Sequence, residues 1–327
     1  MSQTETATPA PIGRRIRRLM SDQPLIPLII LFIVLVIILQ FLRPGIVNER
    51  WIANTIKFAI PLAILAACQT MTMLTGGIDL SVSTVATMAA FITATQAVAY
   101  DPALAMVIAL IPAVVIGIAN GIGVGIFRVH PLIMTLGTSL VGVGILQVYQ
   151  RTVIATGTNI PASLSWLATG VTYGIPNALL LFVPLAILIM FTLRRTGFGR
   201  LLYAVGDNER AARLSGVQYW QVILALYVVS ALLGGITGLL YLGLIKAPSL
   251  SLAEPLLLPS VAAAVIGGTS IFGGRGGYAG AIVGALILTV LTTLLTVLQM
   301  AEGARRILFG LIVLAVSAAY LRIIEDR

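Results

Sequence analysis

The sequence predicts an all-α polytopic membrane protein of about ten transmembrane helices, some of them short or broken. Three observations carry this prediction. Of the 327 residues, 59% are hydrophobic and only 9% charged, with a mean hydropathy of +1.06, whereas about a quarter of the residues in soluble domains are charged. Apolar runs close to the roughly 20 residues that cross a bilayer recur along the whole chain. The 32 glycines follow no collagen-like or low-complexity period, as suits close helix contacts and broken helices in a membrane.

The runs fall at 24–42, 55–75, 82–99, 103–127, 131–149, 175–193, 220–244, 277–299 and 306–323, with a shorter one at 256–272. If the N-terminus is cytoplasmic, thirteen of the 20 Lys and Arg residues fall inside and six outside, with Lys57 near a span end. The positive-inside rule therefore places both termini in the cytoplasm. The chain divides into a cytoplasmic tail at 1–23, a transmembrane domain at 24–323 and a short cytoplasmic tail at 324–327. No signal peptide is expected. The stretch TETATPAP is polar, and the basic cluster after it leads into a full-length span without a small-residue cleavage site.

Several function classes drop out. The net charge of +9 has a topological role here and does not point to nucleic acid. A single Cys68 and a single His130 leave no internal disulfide and no Cys or His metal cluster. No metal or cofactor is expected. The chain contains no GxxxxGK[ST] phosphate loop, so it should bind no nucleotide. An intramembrane enzyme would need a paired acid, a metal cluster or an activated nucleophile, and none is visible.

Two connections are longer than the rest. The external loop 150–175 is polar to mildly apolar, with Trp166 and Tyr173 suited to the membrane interface. It is read either as an interfacial loop or as a docking surface. The cytoplasmic loop 194–219 is more informative. Asp207 or Asn208 can cap a helix of about two turns that ends at Gly216, with Glu209 and Arg213 placed to suit its dipole. Ala211 and Ala212 give it a small face able to enter a groove on another protein. Taken alone, the loop reads equally well as a plain interfacial helix.

Asp79 in MLTGGIDLSVST (73–84) is the acid set most firmly in a span region, where an ionised Asp costs roughly 2.5–3.5 kcal/mol. Gly76 and Gly77 break the second span and Ser81 starts the third. Asp79 then sits where a helix begins and can accept from the N–H of Ser81 or Val82. Contact with substrate and a link to helix movement remain alternatives, as does an ion- or proton-coupled secondary transporter using Asp79.

Other polar groups sit at membrane depth. Thr289, Thr292, Thr293 and Thr296 share one helix face and, with Gln69 and Asn120, are candidates for a polar pathway. Helix-to-helix hydrogen bonds explain them equally. Gly117, Gly121 and Gly125 form small-xxx-small steps that read as packing. The run 256–272 is interrupted by Pro259 and Gly267–Gly268 and leads into GGRGG at 273–277, the pattern of a discontinuous transporter helix.

Three stretches, TGGIDLSVS (75–83), AVGDNERAARLSGV (204–217) and AVIGGTSIFGGRGG (264–277), resemble in order the signature stretches of ribose/xylose-type permease subunits of bacterial ABC importers. The resemblance covers nearly the whole chain. It implies a ten-helix core related to the vitamin B12 importer permease, in the bacterial inner membrane, paired with a second permease subunit that is identical or not. It also implies two further partners, an ABC ATPase subunit and a periplasmic sugar-binding protein. The function implied is import of a monosaccharide or related polyol, with ATP hydrolysed elsewhere. The family's coupling segment maps onto Gly206, Asn208, Glu209, Ala211, Ala212, Ser215 and Gly216, and its helix-start motif onto Gly76, Gly77, Asp79 and Ser81. Two departures stand out. Ser83 replaces the usual Gly after DLSV, and LLLPSVAAA replaces a more polar stretch before VIGG.

Overall fold

The computed structural model describes residues 25–153, 157–301, 303–308 and 310–311. Both terminal tails and most of the 306–323 run lie outside the described residues. Helix α1 (Leu25–Leu42) is apolar all round, and only Leu39 is buried, so nearly its whole surface suits lipid. Helix α2 (Glu49–Leu74) begins at Asn48, whose Oδ1 accepts from Trp51 N–H at 3.0 Å, with Glu49 in the first turn. It runs through the centre of the molecule. Helix α3 (Val82–Gln96) has only 15 residues, fourteen of them buried. It presents almost no face to lipid and spans about 22 Å at 1.5 Å per residue, short of the roughly 30 Å hydrocarbon core.

Asp101 caps α4 (Pro102–Gly125), with Pro102 at the first helical position. Helix α5 (Pro131–Val153) buries only Thr135, Gly142 and Leu146. The long connection between α5 and the next apolar helix carries a short helix α6 (Ala162–Thr169) and a two-stranded hairpin, β1 (Val171–Thr172) and β2 (Ile175–Pro176), a small exception to the all-helical expectation. Lys57 Nζ donates to Thr169 O at 2.6 Å and ties this loop to α2.

Helices α7 (Ala178–Arg195), α8 (Gly197–Asp207) and α9 (Glu209–Leu214) lead to α10 (Tyr219–Ile245). The small-residue stripe of α4 packs on α10, as expected. A Cβ at Gly121 would lie 2.7 Å from Leu224 Cα, and one at Gly117 2.8 Å from Tyr227 O. Helix α10 meets α3 through Gly234, where a Cβ would stand 3.2 Å from Val82 O. A 3-10 turn (Glu254–Leu256) then opens α11 (Leu257–Ile266). The predicted run 256–272 is helical only to Ile266, because Gly268 takes φ +86° and breaks the turn. Helix α12 (Tyr278–Val297) follows, and residues 303–308 and 310–311 are again helical.

Seven of these helices, α1, α2, α4, α5, α7, α10 and α12, are long and apolar enough to cross a membrane. The protein is a helical, multi-pass membrane protein.

Candidate coupling junction

The linker between α2 and α3 is built around Asp79, which is 1% exposed. Its Oδ1 accepts from Ser81 N–H at 2.9 Å and from Ser81 Oγ at 2.6 Å, and Oδ2 accepts from Ser230 Oγ of α10 at 3.0 Å. Of the two N–H groups expected, Ser81 supplies the donor. Gln69 holds the backbone of Asp79 at both ends: its Nε2 donates to Asp79 O at 2.8 Å, and its Oε1 accepts from Asp79 N–H at 3.2 Å. Asn120 Nδ2 donates to Ser81 Oγ at 2.9 Å and its Oδ1 accepts from Thr138 at 2.7 Å. Leu80 N–H donates to Thr135 Oγ1 at 3.0 Å. The three donors on the carboxyl group, Ser81 N–H, Ser81 Oγ and Ser230 Oγ, offset part of the cost of burying it.

This network takes up Gln69 and Asn120, two of the pathway candidates. Both are fully enclosed, and their amides are already engaged in fixing the linker. The four threonines lie apart from this network, on α12. Each donates to the backbone of its own helix: Thr289 to Ala285 O, Thr292 to Leu288 O, Thr293 to Thr289 O and Thr296 to Thr292 O. They line a groove of about 490 Å³ with Trp51, Asn54, Thr55 and Arg305.

The second and third signature stretches meet the end of α2 at Leu74, the residue just before the first stretch, so that segments 200 residues apart in sequence come together. Gly274 N–H donates to Leu74 O at 2.9 Å. Gly206, near the end of α8, fits against both: a Cβ there would overlap Leu74 O and stand 2.7 Å from Gly274 N. Gly273, at φ +94°, faces Gly206 so closely that its own Cβ would come within 2.6 Å of Gly206 O. Tyr203 Oη donates to Gly276 O at 2.9 Å. Burial raises the pKa of this hydroxyl, against the pull of Arg194.

Helix α9 projects from this junction. Asn208 caps it, its Oδ1 accepting from Ala211 N–H at 2.9 Å. It ends in a Schellman pattern, Val217 N–H to Ala212 O and Gly216 N–H to Arg213 O, with Gly216 at φ +86°. Glu209 accepts from Arg128 Nη1 of the α4–α5 turn at 2.7 Å and also pairs with Arg213. The Arg128 guanidinium lies 3.7 Å from the centre of the Tyr219 ring, within cation–π range. Thus α9 is held to the starts of both α5 and α10.

The face expected of α9 needs one correction. Ala211 is exposed, but Ala212 is buried within the chain's own core, because it faces α8 and the start of α10. The outward apolar residue is Leu214, 85% exposed. It lies three positions after Ala211, on the same helix face, and the sequence reading passed over it by following only the small residues. Arg128 and Tyr219 were also missed, since their roles depend on contacts between distant segments. Ser230 carried a signal in principle, as a hydroxyl inside the apolar run VVSALL.

Residues 51–317 match the family model described as branched-chain amino acid transport system / permease component. The chain is 32% identical over 293 residues to the ribose import permease protein RbsC of Bacillus subtilis, covering 89% of this chain and 91% of that protein. It is 31% identical to the fructose import permease protein FruF of Bifidobacterium longum, covering 88% and 85%. With the galactofuranose transporter permease protein YtfT of Escherichia coli the identity is 35%, covering 70% and 67%. No solved structure matches the chain. These permease relatives favour a permease subunit over a self-contained secondary transporter working through Asp79. The chain belongs to the branched-chain amino acid transport system / permease component family.

Proposed function

We propose that this chain is the membrane-spanning permease subunit of an ATP-driven ABC importer for a monosaccharide or related polyol. It works in the bacterial inner membrane with both termini cytoplasmic. A second permease subunit, an ABC ATPase and a periplasmic sugar-binding protein complete the transporter. The core has ten membrane helices related to the vitamin B12 importer permease, of which α3 and α11 are the short ones and the apolar run 306–323 supplies the tenth. The family description names branched-chain amino acids, while the curated relatives are named for ribose, fructose and galactofuranose. The names of those relatives support the sugar.

One observation carries the coupling role. The three signature stretches converge on a single end of the bundle, and from that point a short, doubly capped helix presents Ala211 and Leu214 outward. A contact that transmits force has to be small enough to enter a groove and stiff enough to carry movement. Helix α9, with Gly206, Asn208, Glu209, Ser215 and Gly216 shaping it, has both properties. The ATPase then moves α9, and the movement passes through Gly206 to the end of α2 and the 267–277 loop.

The test uses the assembled transporter. Leu214→Arg alters the exposed tip and nothing inside the fold. It should abolish ATP-dependent uptake and co-purification with the ATPase, while expression and thermal unfolding of the permease stay as in wild type. Wild-type uptake by Leu214→Arg would remove α9 from the coupling role. Faster uptake of leucine than of D-ribose, D-fructose or D-galactose would overturn the sugar reading.

A further inference from the structure

The groove beside α12 lies at the opposite end of the bundle from the junction, between the starts of α2 and α11 and the ends of α10 and α12. Its volume of about 490 Å³ is within the usual range for a small-molecule site. The arrangement of its polar atoms is specific. The hydroxyl hydrogens of Thr289, Thr292, Thr293 and Thr296 all point into backbone carbonyls of their own helix. A hydroxyl has one hydrogen and two lone pairs, so this stripe offers a ligand acceptors only.

Across the groove stand groups that donate, and two of them, Asn54 and Thr55, also accept. Arg305 donates through Nε to Met300 O at 3.1 Å, which leaves its terminal nitrogens as donors. Asn54 and Thr55 have no side-chain hydrogen-bond partner among the described residues. Trp51, Phe58 and Tyr241 supply ring surface, and the Trp51 Nε1–H, buried without a hydrogen-bond partner among the described residues, is a further donor. A ligand that fits can therefore donate to the stripe, exchange hydrogen bonds in both directions with Asn54 and Thr55, accept from Arg305 and place C–H surface between. Ring hydroxyls meet this requirement.

Charge narrows the class further. Among the described residues that line the groove, Arg305 is the only charged one. An amino-acid ammonium group would meet Arg305 and, among these residues, no counter-charge. A carboxylate would meet Arg305 but would also turn acceptor oxygens toward an acceptor stripe. The larger groove of about 750 Å³ between α3, α4 and α5 is different. It is lined almost wholly by aliphatic side chains, and the Thr138 hydroxyl in it is already bonded to Asn120.

We propose that the groove formed by Asn54, Thr55, Arg305 and the threonine stripe of α12 is a transient binding site for an uncharged polyhydroxylated solute. This deepens the function proposed above and rests on it. In that topology the groove opens on the external half of the permease, where solute arrives.

The experiment uses the permease reconstituted in vesicles with its ATPase and binding protein. The probe is whichever of D-ribose, D-fructose and D-galactose the wild type takes up fastest. Replacing two acceptors nearly isosterically, in Thr292→Val with Thr293→Val, should slow uptake about tenfold, as expected for two lost neutral hydrogen bonds. Thr292→Ser with Thr293→Ser keeps the acceptors and should restore it, and ATP hydrolysis stimulated by the binding protein should be unchanged in both. Wild-type uptake by the Val pair overturns the site while leaving the sugar reading intact. Equal loss in the Val and Ser pairs overturns it in favour of packing. Inhibition by D-gluconate, but not by the other neutral sugars, overturns it in favour of an anion site. Absence of sugar uptake by the wild type overturns the sugar reading and the site with it.

Discussion

The two ends of the helical bundle terminate helices with the same hydrogen-bond pattern and different residues. At the junction, α2, α9 and α11 each close in a Schellman pattern, with Gly76, Gly216 and Gly268 at φ +77°, +86° and +86°. At the other end α12 closes in the same way, Gln299 N–H to Thr296 O and Met300 N–H to Leu295 O, yet Gln299 occupies the left-handed position at φ +56°. Backbone conformation explains Gly216 and Gly268, since a Cβ at either would meet nothing within 4 Å. Gly206 is needed for another reason. It lies inside a helix, and the adjoining backbone leaves no room for a side chain. The junction thus combines unstrained helix ends with backbone-to-backbone contact, while the threonine end tolerates a strained cap beside an open groove.

The largest expected effect breaks the junction by contact alone. Gly206→Val would drive a side chain into the Leu74 carbonyl and Gly274, and overpacking of this kind costs roughly 3 kcal/mol or more. Gly137→Ala on α5 is the matched control. A Cβ there meets nothing within 4 Å, so the gain in helix propensity of about 0.5–1 kcal/mol should appear. Thermal unfolding of the two variants in detergent should move in opposite directions. An unchanged midpoint for Gly206→Val would refute the close-contact account.

Asp79 gives the next largest effect. Asp79→Leu leaves Ser81 N–H, Ser81 Oγ and Ser230 Oγ without their acceptor, at about 1–3 kcal/mol for a stranded buried donor. Asp79→Asn keeps one acceptor oxygen and should lose about 1 kcal/mol with reduced transport. Unfolding midpoints in the order wild type, Asn, Leu are expected. A Leu variant as stable as wild type would mean that the linker is held without the carboxyl group.

How much of this was legible depended on whether the cause is local. Helix ends were readable, because a glycine in the left-handed position or an Asn at a cap acts within a few residues. The Gly117–Gly121–Gly125 stripe was readable too, since its spacing alone gives a close-packing face. Burial was read less well. Ala212 looked like a surface residue because alanine suits both solvent and core, and only the packing of α8 and α10 decides between them. Gln69 and Asn120 looked like pathway residues because an amide serves a solute and a backbone linker equally well. The convergence of Leu74, Gly206 and Gly274 has no local signal, and only the order of the three stretches hinted at it.

A smaller effect is expected at the ion pairs that hold α9. Arg128, Arg213 and Glu209 are each at least 40% exposed at the side chain, so solvent screens them and such pairs contribute about 0–1 kcal/mol. Glu209→Gln should lower the unfolding midpoint little while loosening α9 from the α4–α5 turn. Amide exchange at Ala211 and Ala212 should quicken and exchange in α2 should not. Equal acceleration in both helices would show that the pairs support the whole junction.

The smallest effect carries the comparison to the other end. Gln299 holds a conformation that costs an L-residue about 1–2 kcal/mol, and Gln299→Gly removes that strain. Glycine in turn adds freedom to the unfolded chain, at roughly 0.5–1 kcal/mol. The difference leaves a net gain of about 0.5 kcal/mol, visible as a slightly higher unfolding midpoint. If the cap is merely a helix end, uptake should be unchanged by the substitution. If the strained cap instead helps the groove beside α12 to change shape during transport, the same substitution should slow uptake while raising stability. Parallel measurement of unfolding and uptake in this one variant therefore separates a tolerated defect from a working part.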